Sequence, residues 1–177
     1  MDLSQVIIGL TNPKSPTNVG GIMRAAGCYN ATEVRYTGQR YQYAAAHYTQ
    51  YDTDTQSARE RIPLIAVNQL LDDLPPDTKI VCVELVEGAI ALPDFEHPAQ
   101  AIYIFGPEDG TIAQQVINQA DAVVYVPTTG CMNLAATVNV LLYDRMAKSG
   151  IKGSDALIRA SRDTNNRVKV TSANTSR

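Results

Sequence analysis

The sequence predicts an α/β protein built on a parallel sheet of about six strands with flanking helices. Three observations predict it. Short apolar, β-branched runs alternate with helical patterns; each run is bounded by polar, Gly or Pro residues; and two runs end in glycine-bearing turns just before a helix. Runs of this length suit strands buried on both faces, and their alternation with helices implies parallel pairing through right-handed crossovers.

The elements follow in order. Val6–Leu10, Val34–Thr37, Pro63–Val67, Ile80–Leu85, Ala101–Phe105 and Ala122–Val126 read as the six strands. Between them, the spacing of apolar residues predicts helices at about Val19–Tyr29, Tyr41–Gln50, Asn68–Leu74, Thr111–Gln119 and Met132–Lys148. From Gly150 to Arg177 the apolar runs disappear and Ser, Asn and Arg dominate, which leaves room for one short helix near Ser154–Ala160 and a partly mobile end. The reading divides the chain into one α/β domain over residues 1–150 and a basic tail over 151–177.

At 177 residues, 45% of them hydrophobic, the chain suits one well-buried domain. No apolar run approaches the roughly 20 residues that span a bilayer, and the first residues carry no basic segment of the secretory kind. Three scattered cysteines, Cys28, Cys82 and Cys131, argue for thiols in a reducing compartment rather than a disulfide frame or metal site. The expectation is a cytoplasmic protein without membrane or metal.

The formal charge of −3 conceals an asymmetry. Before Asp144 there are 7 Lys and Arg against 15 Asp and Glu; from Asp144 onward there are 8 against 3. A basic arm on an acidic body attracts phosphate backbones, although a solvated tail explains the same charges about equally well.

Tyr41, Ala44, Ala45, Tyr48 and Tyr51 share one helical face. Packing against the sheet or a partner is the simpler reading; a stacking platform for bases, helped by Arg35 and Arg40, is the alternative.

Three segments carry the chemistry. In Asn18-Val-Gly-Gly-Ile-Met-Arg24, Thr17 or Asn18 is placed to cap a helix, and Gly20 and Gly21 each cost roughly 1 kcal/mol of helix propensity. Arg24 is expensive to bury unpaired, so it is expected to face a polar cleft or a carboxylate; a surface ion pair is the simpler reading. Phe105-Gly-Pro-Glu-Asp-Gly110 makes a tight turn at the carboxyl end of a strand, where open α/β sheets bind ligands; an acidic cap for the following helix suffices to explain Asp109. In Val126-Pro-Thr-Thr-Gly-Cys-Met-Asn-Leu134, Gly130 supplies backbone freedom before a helix whose first N–H groups need partners, while Asn133 and Asn139 are polar in an apolar helix. No G-x-G-x-x-G follows the first strand, which disfavours an ordinary dinucleotide-binding domain.

In this order and spacing the segments resemble the three motifs of the SpoU/TrmH family of the SPOUT superfamily, over about Val6 to Met146. That family comprises knotted, S-adenosylmethionine-dependent RNA ribose 2′-O-methyltransferases. The resemblance implies a homodimer with a C-terminal trefoil knot that transfers a methyl group from S-adenosylmethionine to a ribose 2′-hydroxyl of tRNA or rRNA. It implies Arg24, Asn18 and Glu108 as catalytic residues, with Glu108 beside Arg24 and orienting it. It also implies Asn18, Arg24 and Asn133 on the RNA, and Leu85, Phe105, Gly106, Val126, Pro127, Cys131, Met132 and Ala136 around the cofactor. A guanidinium with a pKa above about 12 suits oxyanion stabilisation better than proton abstraction. Two departures stand out: the loop from Pro127 to Asn133 is short, and Cys131 replaces a serine of many members. They leave one alternative, a catalytically inactive RNA-binding or assembly protein of the same fold.

Overall fold

The computed structural model describes residues 5–47 and 60–170. Its strands are β1 (Gln5–Leu10), β2 (Glu33–Tyr36), β3 (Leu64–Ala66), β4 (Lys79–Val83), β5 (Ile90–Ala91), β6 (Gln100–Phe105) and β7 (Ala122–Tyr125). They form one parallel sheet in the order β3-β2-β1-β6-β4-β7-β5. The helices are α1 (Pro16–Cys28), α2 (Arg40–His47), α3 (Gln114–Ile117), α4 (Leu134–Lys148) and α5 (Asp155–Ser161).

The period-2 pleat assigns the core. Val6, Ile8 and Leu10 of β1, with Ala101, Tyr103 and Phe105 of β6, face the larger cluster, where Val19, Ile22 and Met23 of α1 meet Val138, Leu141 and Leu142 of α4. Ile7, Ile102, Ile104 and Cys82 point the other way, under Leu70 and Ile112. Burial pushes the Cys82 thiol pKa up to about 11, with help from the nearby Glu84 charge.

All six expected strands are present; the seventh, β5, has two residues, too few for a periodic signal. The helix expected over Asn68–Leu74 is a run of turns instead. There the Asp72 side chain accepts from the Gln69 N–H at 3.1 Å, and Asp73 adopts φ 50°, which a helix excludes. Arg35, offered above as part of a base-stacking platform, is 5% exposed and braces these turns by donating to the Leu70 and Asp72 carbonyls. The helix expected over Thr111–Gln119 shrinks to the four residues of α3.

In the Tyr-rich stretch Tyr41 is buried edge-on against Tyr36, which favours packing for that residue; Tyr48 and Tyr51 lie outside the described residues. α1 starts earlier than expected: Pro16 is its first residue, and the cap is the Ser15 hydroxyl, which accepts from the Asn18 N–H.

A polar clasp fixes the far end of α4. Arg145 donates to the carbonyls of Pro98 and Ala99 and to the Tyr103 hydroxyl, and Lys148 donates to those of Leu92 and Phe95. His97 lies between Tyr103, at 2.7 Å from Nδ1, and Asp144, at 2.9 Å from Nε2. Because the Asp144 carboxylate can only accept, His97 donates Nε2–H to it, and in the neutral ring Nδ1 accepts from the Tyr103 O–H. Burial lowers the His97 pKa against the pull of Asp144, so this contact is a hydrogen bond of neutral imidazole rather than an ion pair. Lys148, 2.7 Å from Asp144, supplies that carboxylate's counter-charge.

Beyond α4 the described chain is exposed almost throughout, including Arg159, Arg167 and Lys169; residues 171–177 lie outside the described residues. No helix among the described residues is long and apolar enough to cross a membrane.

Candidate functional site

The pairing register aligns the carboxyl ends of the central strands: Leu10 lies opposite Phe105, Phe105 opposite Val83, and Val83 opposite Val124. The loops leaving them therefore emerge at one edge, the usual ligand side of an open parallel sheet. They enclose a cavity of about 460 Å³, within the range of roughly 300–1,000 Å³ of small-molecule sites. Asn18, Leu85, Phe105, Gly106, Glu108 and Met132 all contribute to its wall.

A hydrogen-bonded chain at this edge stitches the three motifs together. The Glu108 carboxylate accepts from the Lys14 N–H at 2.8 Å, the Ser15 N–H at 3.0 Å and the Asn18 Nδ2 at 3.1 Å. Asn18 Oδ1 in turn accepts from Asn133 Nδ2 at 2.9 Å. Asn133 is the N-cap of α4, its Oδ1 accepting from the Ala136 N–H at 3.2 Å. Burial works to raise the Glu108 pKa, but the donors from Ser15, Asn18 and Lys14 outweigh it and hold the carboxyl below its ordinary value.

Glu84, at the end of β4, closes the second turn. Its Oε2 accepts from the Ile112 N–H at 3.1 Å and its Oε1 from the Leu85 N–H at 2.9 Å. A Cβ on Gly106 would lie 3.0 Å from Glu84 Oε2 and 3.3 Å from the Ile112 nitrogen, so the glycine answers to close approach. Gly130 does not: a Cβ there would meet nothing within 4 Å, and its φ is not positive. Asp109 serves as no helix cap, because α3 begins at Gln114 behind Ala113. It pairs instead with Arg40, whose NH1 lies 2.9 Å from both carboxylate oxygens. Arg40 also donates to the Asn12 carbonyl, so α2 is tied to the first and second loops at once.

The profile of the SpoU rRNA Methylase family matches residues 5–143. The chain belongs to this family. No curated protein matches it. Among solved structures it is similar to the SpoU methyltransferase AviRb from Streptomyces viridochromogenes in complex with AdoMet, at 17% identity and TM-score 0.65, over 82% of this chain and 61% of that one. It is similar to the TrmH/SpoU tRNA-modifying enzyme of A. aeolicus, at 16% identity and TM-score 0.68, over 83% and 78% of the two chains. It is likewise similar to a putative RNA methyltransferase from Bacillus anthracis, at 18% identity and TM-score 0.65, over 85% and 98%. The chain spans about three fifths of the AviRb chain.

Of the residues singled out in this SpoU-family sequence, Asn18, Leu85, Phe105, Gly106, Glu108, Val126, Cys131, Met132 and Asn133 line the cavity; Arg24, Pro127 and Ala136 do not. Arg24 is exposed on α1 and forms no hydrogen bond or ion pair with a described residue, so Glu108 does not orient it within one chain. What holds that carboxylate instead is the Lys14–Asn18 segment, through three donors. Sequence reasoning missed Glu84, Tyr125 and Thr137, which also line the wall. The signal for Glu84 was present, as an acidic residue that ends an apolar strand.

Proposed function

We propose that this SpoU-family protein transfers a methyl group from S-adenosylmethionine to a ribose 2′-hydroxyl of tRNA or rRNA, in the cytoplasm. The observation that carries the proposal is the chain Glu108–Asn18–Asn133, which joins all three motifs at the rim of the cavity. The wall fits the cofactor: apolar Leu85, Val126 and Met132 suit an adenosine, and the turn at Gly106 exposes backbone groups for hydrogen bonds. S-adenosylmethionine supplies an already activated methyl group on a positively charged sulfur.

The protein's task is then alignment. Asn18 and Asn133, each held by a second partner, present fixed polar groups at the rim where a nucleotide enters. Arg24, with its guanidinium in solvent, stabilises the developing ribose oxyanion and anchors the adjacent phosphate. It reaches a cavity in a homodimer, where a second copy brings its own α1 to the partner's rim. The exposed Arg159, Arg167 and Lys169 supply phosphate contacts that the acidic body lacks. The trefoil knot belongs to the same proposal through family membership.

Calorimetry with S-adenosylmethionine is expected to give micromolar binding, with none for NAD. Arg24→Ala is expected to keep that affinity and to lose methylation of total RNA. Unchanged methylation in Arg24→Ala removes the arginine from the mechanism. Cofactor binding without methylation by the unaltered protein favours the inactive RNA-binding or assembly protein.

A further inference from the structure

Among the described residues, the cavity wall carries two carboxylates, Glu84 and Glu108, and no Lys, Arg or His. The two differ in what they are committed to. Glu108 accepts three protein hydrogen bonds and belongs to the rim. From the described residues Glu84 accepts two, from Leu85 and Ile112, while a carboxylate offers about four acceptor positions. Its position is fixed from both sides: β4 anchors its backbone, and the Ile112 N–H holds Oε2 against Gly106. A negative charge is thus held at the junction of β4 and the second turn, with acceptor capacity to spare.

We propose that Glu84 is the residue by which this site selects a positively charged ligand, so that it holds the sulfonium form of the cofactor and releases the uncharged thioether product. The inference rests on the S-adenosylmethionine reading above. Methyl transfer turns a sulfonium, with one positive charge at sulfur, into S-adenosylhomocysteine, whose sulfur is neutral. The methyl group ends on the ribose oxygen, and the hydroxyl proton leaves to solvent. The rest of the ligand is unchanged by the step. A fixed negative charge in a wall whose described residues bring no cation therefore distinguishes the two through the lost charge, and this favours product exchange after each turnover.

The test compares affinities for S-adenosylmethionine and S-adenosylhomocysteine by calorimetry in the unaltered protein, Glu84→Gln and Glu84→Asp, at low and high salt. The unaltered protein is expected to prefer the sulfonium by about tenfold at low salt, less at high salt. Glu84→Gln, which keeps the side chain's size, is expected to bring that ratio close to one. Glu84→Asp keeps the charge but shortens the reach to Ile112, so both affinities fall while the ratio survives. A Glu84→Gln variant whose two affinities fall by the same factor overturns the proposal and leaves Glu84 only bracing the turn. A ratio near one in the unaltered protein overturns it equally. Binding of neither ligand to the unaltered protein instead refutes the cofactor reading itself, so the two failures are separable.

Discussion

Replacing Asn18 by Asp changes little in shape and reverses the electrostatics of the rim. Asn18 Nδ2 donates to Glu108 Oε1 at 3.1 Å, while Oδ1 accepts from Asn133 Nδ2. In Asn18→Asp the second contact can persist, but the first becomes two carboxylate oxygens face to face. At that distance two unit charges repel by about 1.3 kcal/mol at the permittivity of water and by about 5 kcal/mol at an effective value near 20. Glu108 is exposed, so the lower end governs; with the lost hydrogen bond and partial side-chain rotation, a cost of about 1–3 kcal/mol is expected. For a chain of this size that lowers the melting temperature by roughly 3–9 °C. The pH dependence gives the sign. The depressed Glu108 carboxyl contributes stability above the ordinary carboxylate range and loses it as pH falls through the folded-state value. In the variant, protonating either acid restores a donor between the two, so the deficit relative to the unaltered protein is full near neutral pH and shrinks below about pH 4. Urea titrations from pH 3.5 to 7.5, with Asn18→Ala as the uncharged control, measure this directly. A deficit equal at both ends of the range, or no larger than that of Asn18→Ala at neutral pH, refutes the placement of Asn18 against Glu108.

Two further outcomes follow from the packing. Gly106→Ala puts a methyl group 3.0 Å from Glu84 Oε2 and 3.3 Å from the Ile112 nitrogen, so it is expected to cost about 1–3 kcal/mol in urea denaturation and to weaken S-adenosylmethionine binding, whereas Gly130→Ala changes neither. Burial depresses the His97 pKa, so the folded state binds fewer protons there and loses stability as pH falls from about 6.5 toward the folded-state value; His97→Gln is expected to flatten the stability profile over that window, and an unchanged slope contradicts the burial of a neutral imidazole.

The sequence displayed the sheet plainly because strands buried on both faces must be apolar end to end, as Ala101–Phe105 and Ala122–Tyr125 are. It misled at Asn68–Leu74, where helical spacing of leucines is outweighed by the left-handed backbone at Asp73. Helical spacing near Thr111 likewise reduced to four residues, because the stretch before Gln114 is held to Glu84 through Ile112. At the site, the motif residues that line the cavity were visible as polar or glycine interruptions at strand ends. The partnership of Glu108 was not: its donors are backbone N–H groups of residues 14 and 15, and main-chain groups leave no mark in composition. Arg24 was legible as a functional group but not as a solvent-facing one, since helix periodicity alone does not say which neighbours cover a face.

The 15 residues of α4 run from the cavity rim to the clasp at the opposite end of the sheet, a span of about 22 Å. Held at Asn133 by Asn18 and at Arg145 and Lys148 by four carbonyls, the helix is a strut with no loose end. Slack introduced at the remote anchor is relieved at the ligand's doorway. A screen that reads only affinity will therefore return positions around Asp144, about 10 Å along the helix from Thr137 in the cavity wall.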